Sequence, residues 1–175
     1  MKDVLWTARE KLKDVTPLKR DCGRVCGARC CEPLEGEETG MLLFPGEEAC
    51  YAGQPGWALR DTAMGRMAVC SGRCDRAERP LACRMFPLLP VPDRDGKVRA
   101  LVDLRARAVC PLARQGIEAM DPAFIGAVKE AGECLMADAE QAAFLEALAG
   151  EQEELRQLQI RLGGVRDDQT GTGRT

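Results

Sequence analysis

Eight of the ten cysteines in this chain fall into two groups, Cys22, Cys26, Cys30 and Cys31 within CGRVCGARCC, and Cys70, Cys74, Cys83 and Cys110 further along. Cys50 and Cys134 stand apart. Four thiols in ten positions exceed what a packed core needs, although free cysteine does serve as a small buried hydrophobe. A spacing of four puts Cys22, Cys26 and Cys30 on one side of a helical segment. The glycine after each of the first two lets the backbone come close to a metal. Thiolates that converge without a cation repel one another, whereas zinc or an iron-sulfur cluster converts that cost into binding free energy and orders a loop-rich chain. Adjacent Cys30 and Cys31 are poorly placed to reach one tetrahedral ion together. Either they serve two metals, or one of them stands outside the ligand set as a supporting or reactive thiol.

Histidine is absent from the 175 residues. The commonest general base and the usual nitrogen ligand for zinc are therefore missing, and a metal site must be built from thiolates, helped at most by a carboxylate. The first fifteen residues, MKDVLWTAREKLKDV, carry charges in every turn and lack the apolar run of a signal peptide. No later stretch approaches the roughly 18 apolar residues of a membrane span. These features predict a soluble, cytoplasmic protein, where thiols stay reduced and clustered cysteines are metal ligands or redox groups more often than disulfides.

Charge is unevenly spread. Residues 60–114 carry twelve cations, eleven of them arginine, against six anions, while residues 115–175 carry five against twelve. The basic middle could be a solvated face, an anion-binding surface or compensation for thiolates. A nucleic-acid surface is disfavoured, because the chain is acidic overall and that middle has one aromatic residue, Phe86, to stack on a base.

CGRVCGARCC, the downstream VCSGRCDRAERPLACRMFPLLP and then AVCPLARQG resemble the YkgJ-type cysteine-cluster proteins, described as zinc- or iron-chelating CxxCxxCC domains. The resemblance spans about residues 20–116, and RPLACRMFP (79–87) is its most specific part. It implies that Cys22, Cys26, Cys30 and Cys31 form the first cluster, Cys70 and Cys74 the middle pair, Cys83 the cysteine of the RPxxCRxFP block and Cys110 the one that closes the domain. It implies zinc or iron as the bound group and no established reaction. Some flagellin lysine methylases carry a similar cysteine domain. This chain has three residues between its early cysteines where the family name has two. Arg79 and Arg84, on either side of Cys83, are expected to be structural or to offset thiolate charge. Pro80 and Pro87 would hold the chain around that cysteine.

The elements that must position these residues are partly legible. Val4, Leu5, Ala8, Leu12 and Val15 predict an amphipathic helix over 2–15, ending before Pro17. Residues 21–56, rich in glycine and proline, read mostly as loop, with MLLF (41–44) either a strand or a tucked turn. FPLLPVPDRDGKVRALVDLRA predicts a hairpin turning at Asp95-Gly96, its proline-rich arm confined to an edge. Asp121-Pro122 and Asp138 mark two helix starts, giving helices over about 122–136 and 138–162. Leu148, Leu155 and Leu162, flanked by Phe144 and Leu158, form a stripe that must bury against its own domain or a second copy. Residues 163–175 have little to bury and are expected to be disordered. No internal repeat is present.

The sequence thus predicts an α+β protein: a small, loop-rich, metal-stabilised cysteine-cluster domain over 1–116 with a short β-hairpin, and a C-terminal helical pair over 117–162 packed on it. Its expected function is to hold zinc or iron, an iron-sulfur cluster included, through the eight grouped cysteines. The expected partner is the metal ion, with no membrane and a homodimer or protein partner available to the C-terminal helix. A cluster-dependent enzyme of methylase or radical type is the first alternative. The usual radical S-adenosylmethionine spacing, however, requires a cysteine where Arg29 stands, and no glycine-rich cofactor loop follows a clear strand. A thiol-redox sensor is the second, since arginines near Cys74 and Cys83 would lower thiol pKa values.

Overall fold

Leu5, Ala8 and Leu12 recur at helical spacing, and in a computed structural model the chain coils over Lys2–Lys11 (α1) with all three buried. The structure describes residues 2–32, 40–70, 72 and 74–162; the tail predicted over 163–175 lies outside them. The helix stops four residues before the predicted end, for an electrostatic reason. The Arg76 guanidinium donates to the carbonyls of Leu12 (3.3 Å), Lys13 (3.4 Å) and Val15. Carbonyls left over at a helix C-terminus need such donors, and Arg76 supplies them from sixty residues away along the chain.

Two short turns follow, α2 (Gly23–Cys26) and a 3-10 turn over Arg29–Cys31, then β1 (Gly40–Leu42), β2 (Trp57–Thr62) and β3 (Gly65–Cys70). These three strands form an antiparallel sheet in the order β1-β3-β2, with Trp57 opposite Cys70 and Gly40 opposite Val69. MLLF is therefore a strand end running into buried Leu43 and Phe44. The β2–β3 hairpin has no counterpart in the sequence reading. It turns at Ala63-Met64, which lack the Asn-Gly or Asp-Gly signature of a two-residue turn; the Thr62 hydroxyl donates to the Gly65 carbonyl at 2.8 Å instead.

α3 (Leu81–Met85) leads into β4 (Leu88–Pro92), which pairs antiparallel with β5 (Val98–Val102), as predicted. The loop closes on Asp93, whose carboxylate accepts from the Asp95 and Lys97 amides, both at 2.9 Å. α4 (Pro111–Gln115), α5 (Pro122–Leu135) and α6 (Ala139–Arg161) complete the described chain. Asp121 caps α5 through the Ala123 amide, and Asp138 caps α6 through the amides of Glu140 and Gln141. The architecture is α+β with two small antiparallel sheets, and no helix among the described residues is long and apolar enough to cross a membrane.

One core joins the N-terminal helix to the C-terminal pair. Phe124, Val128, Ala131 and Leu135 of α5 are buried against α1, β4 and β5, and Leu145 of α6 joins them. A smaller cluster of Leu43, Tyr51 and Ala68, with Trp57 and Leu59, lies under the three-stranded sheet. α5 crosses the β4–β5 hairpin so closely that a Cβ at Gly132 would stand 2.5 Å from the Pro90 Cβ and 2.7 Å from a Val98 methyl. The leucine stripe of α6 divides: Leu148 is buried, while Leu158 and Leu162 are 51% and 83% exposed.

A buried carboxylate ties three separate stretches of chain together. Glu47, 2% exposed, accepts from Arg9 Nη1 at 2.9 Å, from the Leu81 amide at 2.7 Å and from the Phe44 amide at 3.3 Å. Desolvation pushes its carboxyl above the usual range, against the two amides and the guanidinium, which favour the charge. Tyr51 donates to the Glu78 carbonyl at 2.9 Å, and Arg9 reaches the Ala77 carbonyl at 3.2 Å. α1, the turn at residue 47 and the segment entering α3 are thereby fixed to one another.

Removing one partner of a buried ion pair leaves an uncompensated charge, so Glu47→Ala should lower stability by about 3–5 kcal/mol. Glu47→Gln, which keeps an acceptor, should cost less; urea denaturation of both variants measures the difference. Gly132→Ala forces a methyl against a rigid proline ring, and overpacking of this kind should cost about 1–3 kcal/mol in the same measurement.

Candidate functional site

The first four cysteines lie on a segment with little to hold it. Cys22 precedes α2, whose first amide is capped by Asp21 at 3.0 Å, and Cys26 ends it. The chain then reverses through left-handed Gly27 and Ala28 and makes the 3-10 turn that carries Cys30 and Cys31. Neither turn buries a side chain. Segments with few buried contacts open at low free-energy cost, so these four thiols can shift position without disturbing the core.

The other four ride on firmer elements. Cys70 ends β3, the central strand of the three-stranded sheet, opposite Trp57. Cys74 precedes a 3-10 turn over Arg76–Glu78 capped by Asp75 through the Ala77 amide. Cys83 sits in α3, whose first amide is the one bound by Glu47. Cys110 occupies the position before α4 and packs against the main core. Cys30 is exposed and the other seven are half-buried.

Two contacts bring the groups together. Gly72, at φ +83°, passes so near Cys31 that a Cβ there would lie 2.8 Å from the Cys31 carbonyl oxygen. Glycine is required both for the left-handed backbone and for this approach, and it brings Cys70 and Cys74 beside Cys31. On the other side, Cys22, Cys26, Cys30, Cys83 and Cys110 line a cavity of about 190 Å³. The rest of its wall is mainly apolar, with Leu18, Val25, Phe86 and Leu112, and Arg79 enters it as well. The Sγ atoms of Cys30 and Cys31 are 3.9 Å apart.

Electrostatics reports the same neighbourhood. Desolvation, then the charges of Cys26, Asp21 and Cys110, raise the Cys22 thiol. Desolvation also raises Cys83, which feels Cys31, Cys74 and Cys70. Within the adjacent pair, a hydrogen bond to Cys30 and the guanidinium of Arg79 lower Cys31, while the shared hydrogen bond and desolvation raise Cys30. Within the pair, Cys31 gives up its proton before Cys30. Arg79 hydrogen-bonds Cys74 and offsets part of that thiol's burial. Its Nε is buried and finds no hydrogen-bond partner among the described residues.

The two flanking arginines differ in role. Arg79 stands among the thiols and offsets their charge. Arg84, 9% exposed, donates instead to the carbonyls of Ala77 (2.7 Å) and Arg79 (3.2 Å). It holds the approach to α3 in place. Pro80 and Pro87 are buried on either side of Cys83, and the Phe86–Pro87 peptide is cis.

Cys50 and Cys134 lie elsewhere. Cys50 is exposed on the turn that carries Glu47, in a depression shared with Arg9, Tyr51 and Trp57. Cys134 is half-buried on α5 and packs against the main core. All ten cysteines are free of disulfides.

The donor set suits a thiophilic cation: eight sulfurs, no imidazole, and a guanidinium among them. Among the described residues, no three cysteine, aspartate or glutamate side chains are already grouped as ligands. Holding zinc would require sulfurs to close to about 2.3 Å from the ion, and the two turns over residues 23–31 have no fully buried side chain to resist that closure.

Alkylation rates follow from the thiol environments. In metal-free, reduced protein near pH 7, Cys31 should react before Cys22 and Cys83, because its lowered pKa leaves it as thiolate where theirs, raised, leave them protonated. Arg79→Gln should slow Cys31 several-fold, read by peptide mapping after iodoacetamide; an unchanged order would refute this account of the pair. No family model matches the chain, and no curated protein or solved structure matches it.

Proposed function

We propose that this protein binds zinc or iron, an iron-sulfur cluster included, through Cys22, Cys26, Cys30, Cys31, Cys70, Cys74, Cys83 and Cys110. One observation carries the reading. Five of the eight grouped thiols, Cys22, Cys26, Cys30, Cys83 and Cys110, line one cavity, and Cys31, Cys70 and Cys74 lie near enough to Cys83 for their charges to raise it, while Cys50 lines a different depression and Cys134 packs on α5. Gathering thiols without a cation costs desolvation and, once they ionise, repulsion. A bound metal turns both into stability. The resemblance of the two cysteine blocks to the YkgJ-type proteins supports the same reading, as does the lack of histidine.

The residues divide the work by their own chemistry. The cysteines deprotonate and donate sulfur; Arg79 supplies positive charge where several thiolates leave a net negative one. Arg84, Arg9 and Glu47 hold the rigid half of the site in place. When bound, the metal would cross-link residues 22–31 to the elements that carry Cys70, Cys83 and Cys110. A thiol-redox reading has its own support in the Cys30 and Cys31 sulfurs at 3.9 Å, one of them exposed. It predicts reversible disulfide formation on mild peroxide treatment of metal-free protein.

Metal analysis of anaerobically purified, reduced and folded protein should return stoichiometric zinc or iron. A colourless solution would indicate zinc, whose d shell is filled, and a brown one an iron-sulfur cluster. Neither metal present in folded protein would defeat the proposal. Replacing Cys83 or Cys110 with serine should release metal just as replacing Cys22 does; dependence on the first four cysteines alone would defeat the assembled site.

A further inference from the structure

Several arginines of this fold are met by acids: Arg9 by Glu47, Arg66 by Asp61, and Arg105 by both Asp103 and Glu151. Beside β5 three others are not. Arg99 of β5, Arg107 of the 3-10 turn over Leu104–Ala108 and Arg114 of α4 line one groove of about 500 Å³, which no cysteine borders.

Arg105 and Arg107 belong to the same turn and have opposite surroundings. Arg105 is held by two carboxylates, whereas the Arg107 guanidinium makes no hydrogen bond or ion pair among the described residues, and its Nε is buried. A buried donor without an acceptor is costly, and such an orphan in a native fold marks the place of an ion or a water. Arg114 is fixed alongside it, donating from Nε to the Arg107 carbonyl at 2.7 Å and from Nη2 to the Ala108 carbonyl at 2.6 Å. The Arg99 guanidinium is likewise unpaired among the described residues.

One acid lines the groove, and it does not neutralise these cations. Glu118 turns back over Gly116, at φ +97°, where a Cβ would stand 2.6 Å from the Glu118 Oε2 atom. Three guanidiniums against one carboxylate leave the groove a formal charge of +2. Leu101 and Ile117 give it an apolar wall. A phosphate monoester carries close to two negative charges near neutral pH, and its oxygens match the guanidinium fork. A concave site with an apolar wall and a few convergent polar groups is the usual form of a small-molecule pocket.

We infer that the groove between β5 and α4 binds a small organic phosphate ester, its phosphate held by Arg99, Arg107 and Arg114 and its apolar body lying against Leu101 and Ile117. The site is separate from the thiols and does not depend on the metal-binding reading.

Phenyl phosphate, titrated at about pH 7.5, where it is dianionic, into the reduced full chain labelled with nitrogen-15, tests the site. The Nε–H resonance of Arg107, assigned through bonds in the unsubstituted protein, should shift saturably. Benzoate, with a single charge, should bind more weakly, and phenol should not move the resonance. Arg107→Gln should weaken binding by about tenfold or more, the loss of one charge-assisted hydrogen bond. Arg94→Gln, on the exposed hairpin turn outside the groove, should leave it unchanged. The titration of the unsubstituted protein decides the question even if Arg107→Gln fails to fold. Absence of a saturable shift, or phenol or benzoate binding as tightly as phenyl phosphate, overturns the proposal. So does equal weakening by Arg94→Gln and Arg107→Gln, which would mean diffuse attraction to a basic surface.

Discussion

A carboxylate with almost no access to water holds this molecule's working end in shape. Glu47 neutralises Arg9 of the first helix, accepts the leading amide of the helix that carries Cys83, and closes the turn after the first strand through Phe44. Burying a charge is expensive unless its partners are fixed, so the three stretches that satisfy Glu47 have a single joint arrangement. Everything downstream inherits it. Arg9 and Tyr51 take the carbonyls of Ala77 and Glu78, Arg84 takes those of Ala77 and Arg79, and Arg76 takes the end of α1. Four arginines of the basic middle, Arg60, Arg76, Arg84 and Arg114, donate to backbone carbonyls, three of them to two or more at once through the planar guanidinium fork.

Against this rigid half stands a loose one. Residues 22–31 carry four thiols on two turns with no buried side chain, joined to the scaffold by the close passage of Gly72 and by the cavity wall. Desolvation raises the enclosed Cys22 and Cys83 thiols, whereas Cys31, hydrogen-bonded to Cys30 and beside Arg79, is lowered. A cluster built this way is stable while its thiols stay protonated and becomes strained as they ionise. A cation held there would remove that strain, and on the proposed function its binding would be coupled to the order of residues 22–31.

Much of the periphery was legible from local pattern. Asp121-Pro122 and Asp138 start helices because a short acidic side chain can satisfy the first free amides of a helix whatever surrounds it. The β4–β5 hairpin was readable because its turn carries Asp and Gly and its second arm alternates. The β2–β3 hairpin was not, since Ala63-Met64 carries no turn signature and strand register there is decided by burial of Ala68 under Tyr51 and Leu43. The first helix was read four residues too long: its periodicity continues to Val15, but the donors that end it come from Arg76, out of sight of any local window.

The chain's own sequence determined which atoms are available: thiols in two groups, no imidazole, arginines beside Cys83, and proline on both sides of it. These are matters of composition and spacing, and no fold can change them. Only the tertiary structure decided which thiols face one another. Cys30 shares a cavity with Cys83 and Cys110, which lie far along the chain, and Gly72 passes close to the Cys31 carbonyl because its left-handed backbone and missing side chain allow it. The part of Glu47 was equally hidden. Nothing in Gly-Glu-Glu-Ala-Cys marks its first acid as the one whose charge will be buried; that follows from Arg9 and Leu81 arriving from distant parts of the chain.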